Sequence, residues 1–181
     1  YINNETLILV QKPSDYSPSK KYAIVYMLHG YSEDYTQWSK TTDLQKLADD
    51  YNMILVCPEG YTTYYLNGTD GRPQFESFFF SELVPFIHKE YNVDSRNIFI
   101  TGLSMGGYGA LSLFIKHQDY FNTAASTSGA LEIEYENFKK VSMTFFESER
   151  MTNDIEYHLG RHTDNDWTKY SISNLLEENP D

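Results

Sequence analysis

The chain has 181 residues, of which 40% are apolar and 16% aromatic, so it can bury a sizeable core and is not expected to be disordered. Its formal net charge of −12 argues against nucleic acid or an anionic membrane surface as a partner, because both repel an acidic protein. The single cysteine, Cys57, excludes an intrachain disulfide. The sequence contains no run of about 18 apolar residues, which is the length that a membrane-spanning helix needs.

Strands alternate with helices along the chain. Near-continuous apolar runs predict strands buried on both faces, and apolar residues at helical spacing predict helices. In chain order we predict a strand at 6–11, a buried strand at 22–29, a helix at 42–51, a buried strand at 53–58, a helix at 75–91 that Pro85 kinks, a buried strand at 97–101, a helix at 105–117, a short strand at 123–128 and a helix at 164–178. This pattern predicts an α/β fold with a mostly parallel sheet covered by helices on both faces.

The loops after the carboxyl ends of the strands are where such folds carry function. The strand at 97–101 leads into Gly102-Leu103-Ser104-Met105-Gly106, a G-x-S-x-G nucleophile elbow between a strand and a helix. The turn would lift the Ser104 hydroxyl above the sheet, and Gly102 and Gly106 would avoid collisions with the neighbouring strand and helix. We therefore predict that Ser104 is a catalytic nucleophile.

The strand at 22–29 ends in His29-Gly30-Tyr31, at the position of an oxyanion loop. In α/β-hydrolases one oxyanion donor follows the nucleophile and the other follows an early strand, which predicts the backbone N–H groups of Met105 and Tyr31. His29 could be the catalytic base. The interpretation that it fixes the loop is favoured, because in this fold the base follows the nucleophile in the chain.

Four segments carry a resemblance to a known family: Y-M-L-H-G-Y-S-E-D-Y-T-Q-W (26–38), I-L-V-C-P-E-G (54–60), G-L-S-M-G-G-Y-G-A-L (102–111) and S-T-S-G-A-L (126–131). They resemble the putative esterase family of α/β-hydrolases, which includes esterase D, tributyrin esterases, feruloyl and acetylxylan esterases and the mycolyltransferases. The resemblance implies a serine carboxylesterase that cleaves short-chain acyl, acetyl or feruloyl esters through an acyl-enzyme, without a metal or organic cofactor.

The triad order of the fold is Ser, then Asp or Glu, then His. In the family the acid and the base each follow a further strand, so we expect both to lie beyond Asp181 and residues 1–181 to form a partial domain, truncated at the C-terminus. His158 and His162 lie in a polar insertion after the strand at 123–128. Either could be the base, or the pair could bind zinc, but surface histidines are the favoured interpretation.

Aromatic side chains near the predicted site could line a substrate pocket. Trp38 follows the oxyanion loop, and Tyr64 and Tyr65 lie in the loop after the strand at 53–58. The alternative is that they are packing residues of a Tyr-rich chain.

The expected partner is a small-molecule or polysaccharide-linked ester. The strand at 123–128 is expected to be an edge strand, which is compatible with a homo-oligomer. Two other functions stay open: an acyltransferase, or a carbohydrate-binding or scaffold protein without catalysis. The sequence assigns no compartment.

Overall fold

A five-stranded sheet organises the computed structural model, which describes residues 1–2 and 5–180. The strand order is β1-β3-β2-β4-β5; β1 runs antiparallel to β3, and the other neighbours are parallel. The strands are β1 (Ile8–Gln11), β2 (Tyr22–Leu28), β3 (Met53–Pro58), β4 (Val93–Leu103) and β5 (Thr123–Thr127). The mostly parallel sheet is confirmed. Within the described residues β5 pairs with β4 alone, and pairing between copies through this edge stays a prediction.

Helices pack against both faces of the sheet. The helices are α1 (Gln37–Thr41), α2 (Leu44–Tyr51), α3 (Phe75–Phe78), α4 (Val84–Glu90), α5 (Met105–Lys116), α6 (Tyr135–Phe146), α7 (Arg150–Leu159) and α8 (Ile172–Glu178), with a π-helical turn at Phe79–Leu83 and a 3₁₀ turn at Trp167–Tyr170. None of the helices in the described part of the chain is both long and apolar enough to cross a bilayer.

Strand β2 shows how its residues divide between the two faces. Side chains alternate along a strand, so Tyr22, Ile24, Tyr26 and Leu28 enter the larger core cluster, which includes residues of α5 and of the helical segment 75–90. Met27 faces the smaller cluster formed with α2 and with Cys57 of β3. Burial raises the pKa of the Cys57 thiol to about 12, as expected for an inert strand residue.

The predicted helix at 75–91 forms, but it contains a π-helical turn. The Val84 N–H bonds to the Phe79 carbonyl five residues back, in the turn directly before Pro85. Proline has no N–H to donate to the carbonyl of Ser81, so the wider turn takes up the break in the hydrogen-bond ladder. The expected kink is therefore a π bulge.

Two predictions for the C-terminal third need correction. The helix predicted at 164–178 is interrupted at Ser171, whose backbone is extended (φ −62°, ψ 142°) and whose hydroxyl accepts the Ile133 N–H at 2.8 Å. The insertion at 135–159, described from sequence only as polar, contains α6 and α7. Glu134 caps α6 by accepting the N–H groups of Glu136 and Asn137, a local signal that the sequence analysis did not use.

Candidate active site

Ser104 occupies a sharp turn between β4, which ends at Leu103, and α5, which begins at Met105. Its backbone has φ 54° and ψ −114°, a combination that residues with a Cβ atom rarely adopt. The Ser104 N–H donates to the Thr127 carbonyl at 2.9 Å, which fixes the turn to the end of β5. The predicted strand–turn–helix context of the motif is present.

The glycines on either side of Ser104 allow the close approach of three backbone segments. A Cβ atom on Gly102 would lie 2.1 Å from the Gly106 carbonyl oxygen, and one on Gly106 would lie 2.3 Å from the Leu28 carbonyl oxygen. Both distances are far below van der Waals contact with backbone that cannot move aside. Glycine at positions 102 and 106 is therefore a steric requirement of the turn, as the sequence predicts.

The predicted oxyanion loop, which comprises residues 29–32 and is called the oxyanion loop from this point, lies beside Ser104. A Cβ atom on Gly30 would lie 3.7 Å from the Ser104 Cβ, and the Gly30 N–H donates to the Gln37 side chain at 2.8 Å. Within the described part of the chain, the N–H groups of Tyr31 and Met105 donate to no protein acceptor. Met105 is also the first residue of α5, where the helix dipole favours negative charge. Both N–H groups therefore lack a protein partner in the described part of the chain.

His29 is fully buried and fixes the base of the oxyanion loop. Its Nε2 lies 2.8 Å from the Gly60 nitrogen and 3.2 Å from a carboxylate oxygen of Glu59, and its Nδ1 lies 2.8 Å from the Gly30 carbonyl oxygen. The His29 carbonyl in turn accepts the Tyr65 hydroxyl at 2.8 Å. This bonding pattern supports the interpretation of His29 as a structural residue.

Two of the three predicted pocket residues, Tyr64 and Tyr65, have buried rings, and the third, Trp38, is partly buried. Tyr64 and Tyr65 are only 1% exposed; the Tyr64 ring packs on Tyr108 and Phe138, and the Tyr65 ring fills the space that the absent Cβ atoms of Gly60 and Gly109 leave. The Trp38 indole donates to the Leu28 carbonyl at 3.1 Å and packs on the smaller core cluster. Local sequence did not show that these rings point into the core.

None of the five histidines, all of which the structure describes, bonds to the Ser104 hydroxyl. Each ring has another partner: His29 bonds to Gly30 and Gly60, His88 to Tyr120, His117 to Glu76, His158 to Leu66 and His162 to Glu156. The two candidates for a base or a zinc pair thus bond elsewhere, and His158 is buried rather than on the surface. No cluster of three metal-binding side chains occurs among residues 1–2 and 5–180.

Sequence reasoning missed the side chains of α6 and α7 that reach the oxyanion loop. The Tyr31 hydroxyl donates to Asp154 of α7 at 2.5 Å, and the Tyr31 ring meets Phe146 of α6 edge to face at 5.4 Å. Arg150 of α7 contacts both rings. The separation of Arg150 and Asp154 by four residues places them on one helix face, but nothing local shows what that face touches.

The comparisons with known proteins agree with this geometry. A family model described as "Putative esterase" matches residues 1–178. The chain is 31% identical over 143 residues to an acetyl esterase of Caldicellulosiruptor saccharolyticus; the match covers 73% of this chain and 53% of that protein. The chain thus spans about half the length of this relative.

Two solved structures share the fold. An S-formylglutathione hydrolase (FrmB) from Staphylococcus aureus superposes with a TM-score of 0.76 at 20% identity, covering 97% of this chain and 68% of that one. A ferulic acid esterase matches with a TM-score of 0.56 at 32% identity, covering 65% and 49%. With a family model that matches nearly its whole length and an α/β-hydrolase arrangement of strands and helices, the chain belongs to the putative esterase family.

Proposed function

We propose that the chain provides the nucleophile and the oxyanion donors of a serine carboxylesterase. The observation that carries the proposal is Ser104 at a strained turn, with the Gly30–Tyr31 backbone on one side and the free N-terminus of α5 on the other. In this reaction the Ser104 hydroxyl loses its proton to a base and attacks the ester carbonyl, and the N–H groups of Tyr31 and Met105 stabilise the oxyanion. The C–O bond to the alcohol then breaks, the alcohol leaves with that proton, and Ser104 stays acylated. Water then releases the acyl group from Ser104, and no metal or organic cofactor is required.

The substrate part of the proposal rests on the relatives. The acetyl esterase and the ferulic acid esterase favour short-chain acyl, acetyl or feruloyl esters, free or linked to polysaccharide. Acyl transfer to another acceptor would use the same serine and the same donors.

A base must take the proton of Ser104, and none of the five histidines contacts its hydroxyl. We therefore expect residues 1–181 alone to turn over p-nitrophenyl acetate slowly, and added imidazole to accelerate this turnover by substituting for the base. The readout is the Ser104-dependent rate, defined as the rate of the unchanged protein minus that of Ser104→Ala, each measured with imidazole. This subtraction removes the hydrolysis that imidazole performs by itself.

A fluorophosphonate probe supplies the second measurement. In the presence of imidazole, mass spectrometry should locate the adduct on the peptide that contains Ser104, and Ser104→Ala should abolish it. Ser39→Ala, which removes an exposed serine of α1, is the matched control and should leave labelling unchanged. Equal hydrolysis and equal labelling in Ser104→Ala and the unchanged protein would contradict the proposal.

One observation favours a second candidate, a carbohydrate-binding protein without catalysis. A cavity of about 260 Å³ opens beside Asp154, and the partly exposed rings of Tyr61 and Tyr157 line it. Exposed aromatic rings beside a carboxylate suit a sugar. Absence of any Ser104-dependent rate, together with saturable binding of xylo-oligosaccharides that Tyr157→Ala abolishes, would favour this candidate over the esterase.

A further inference from the structure

Helix α7 contacts the oxyanion loop through two side chains that lie one helical turn apart. The carboxylate of Asp154 accepts the Tyr31 hydroxyl at 2.5 Å. The guanidinium of Arg150 lies 5.3 Å from the centre of the Tyr31 ring and donates to the Ser32 hydroxyl. The two residues therefore contact the side chains of Tyr31 and Ser32, the second half of the loop.

An aromatic side chain of α6 completes this contact. The Phe146 ring lies edge to face on Tyr31 at 5.4 Å, and the Arg150 guanidinium lies 4.2 Å from the centre of the Phe146 ring. Partial burial raises the pKa of the Tyr31 hydroxyl, and the hydrogen bond to Asp154 raises it further. The phenol consequently stays protonated at neutral pH and remains a donor to Asp154.

The loop needs support on this side because of its backbone. Ser32 has φ 68°, in the left-handed region that residues with a Cβ atom rarely adopt. On its other side the loop is fixed by His29 and by the bond from Gly30 to Gln37. Among the described residues, the hydrogen bonds of the Tyr31 and Ser32 side chains come from α7, and the aromatic contact of Tyr31 comes from α6. The Tyr31 ring also packs on the larger core cluster.

We propose that Arg150 and Asp154 are positioning residues that hold Tyr31 so that its backbone N–H stays beside Ser104. They couple the α6–α7 helix pair to the oxyanion hole, and movement of this pair away from the sheet would loosen the hole. The catalytic part of this inference rests on the proposed function, because it takes the Tyr31 N–H as an oxyanion donor. The ordering of the loop by α7 does not depend on catalysis and can be measured by itself.

The contacts should affect the loop more than the global fold. Arg150 is exposed and Tyr31 is half-buried, and polar contacts of this kind add little to the free energy of unfolding. A variant without the carboxylate should therefore melt near the temperature of the unchanged protein while its oxyanion loop exchanges amide hydrogens faster. This difference separates a positioning role from a structural one.

The test uses the 181-residue chain with Asp154→Ala, Tyr31→Phe and the double variant. Hydrogen–deuterium exchange of the peptide containing residues 29–33 reports the order of the loop, and the Ser104-dependent hydrolysis of p-nitrophenyl acetate with imidazole reports the hole. We expect each single variant to speed loop exchange and to lower the rate constant of hydrolysis by about tenfold, with little change in KM, since small displacements of a positioned group have effects of this size. The double variant should be no worse than either single one, because both remove the same bond.

Two further variants serve as controls. Asp154→Asn keeps an oxygen that can accept the Tyr31 hydroxyl and should restore most of the protection and the rate. Asn153→Ala changes an exposed neighbour on α7 and should match the unchanged protein. Unchanged loop exchange in Asp154→Ala, or additive effects in the double variant, would overturn the inference. If the unchanged protein shows no Ser104-dependent rate, the proposed function fails, and the exchange data still decide whether α7 orders the loop.

Discussion

At the scale of single residues, the conformation of Ser104 is the feature that sets this chain apart from an ordinary strand–helix connection. A backbone with φ 54° and ψ −114° costs a residue other than glycine about 1–3 kcal/mol. The surrounding structure enforces it through the bond from the Ser104 N–H to Thr127 and through the tight packing of Gly102 and Gly106. The result is a serine held in the sharp turn between the end of β4 and the start of α5.

Replacing Ser104 should therefore show how much the strained backbone costs in the free energy of unfolding. Ser104→Gly relieves the strain but adds the conformational entropy of glycine to the unfolded chain, so we expect a net gain of about 1 kcal/mol in the free energy of unfolding. Ser104→Ala keeps the Cβ atom and should stay near the unchanged protein. Urea unfolding of the three proteins measures the difference. A glycine variant less stable than the alanine variant would show that the turn is not strained.

At the scale of elements, the site depends on how closely α5 approaches the end of β2. Gly106 lies in the first turn of α5 with its Cα directed at the Leu28 carbonyl, 2.3 Å from where a Cβ would lie. This approach brings the oxyanion loop, which follows β2, next to the N-terminus of α5. The distance between the two proposed parts of the site is thus set by helix–sheet packing.

Gly106→Ala should destabilise the fold by about 3 kcal/mol or more, because the new methyl group collides with backbone that cannot repack. Gly30→Ala is the matched control, since a Cβ there meets its nearest neighbour at 3.4 Å, an ordinary contact. We expect less than about 1 kcal/mol for the control, measured by urea or thermal unfolding. Similar losses for the two variants would show that α5 can shift away from β2 without cost.

At the scale of the whole molecule, the buried His158 connects stability to pH. His158 is 3% exposed and donates from Nε2 to the Leu66 carbonyl at 2.9 Å. Burial disfavours its charged form and lowers its pKa below the usual 6.5, and the hydrogen bond to Leu66 offsets only part of this effect. The unfolded chain therefore binds a proton at a higher pH than the folded protein does.

The stability from a neutral His158 should be fully present above about pH 6.5 and should be lost as the pH falls from there toward its folded pKa. Carboxylates affect stability at lower pH than His158 does. Hydrogen bonds from His117 and Lys116 lower the pKa of Glu76 below 4.5 in spite of its burial, so the stability that its ionised form contributes is lost only under more acidic conditions. Urea unfolding at several pH values should show that His158→Gln flattens the slope between about pH 6.5 and 5. His162→Gln, which removes a histidine outside the core, is unfolded at the same pH values for comparison with His158→Gln. An equal slope in His158→Gln and the unchanged protein would contradict this account.

The sequence by itself determined the strands of the sheet, the tight turn at Ser104 and the loop at 29–32 that follows β2. Each of these depends on neighbouring residues: apolar runs that only a buried strand can accommodate, and glycines two positions before and after Ser104 that only a tight turn requires. Each of these constraints lies within a short stretch of the sequence, so pattern and spacing are sufficient to detect it.

Only the tertiary structure decided which aromatic rings are buried and what contacts the oxyanion loop. Tyr64 and Tyr65 follow a strand in a turn-rich loop, as pocket residues do, yet their rings point into the core because Gly60 and Gly109 leave room for Tyr65. The bond from Tyr31 to Asp154 joins residues 123 positions apart. Contacts over such distances depend on how α6 and α7 pack on the sheet, and the energy of that packing is distributed over many side chains rather than encoded beside either partner.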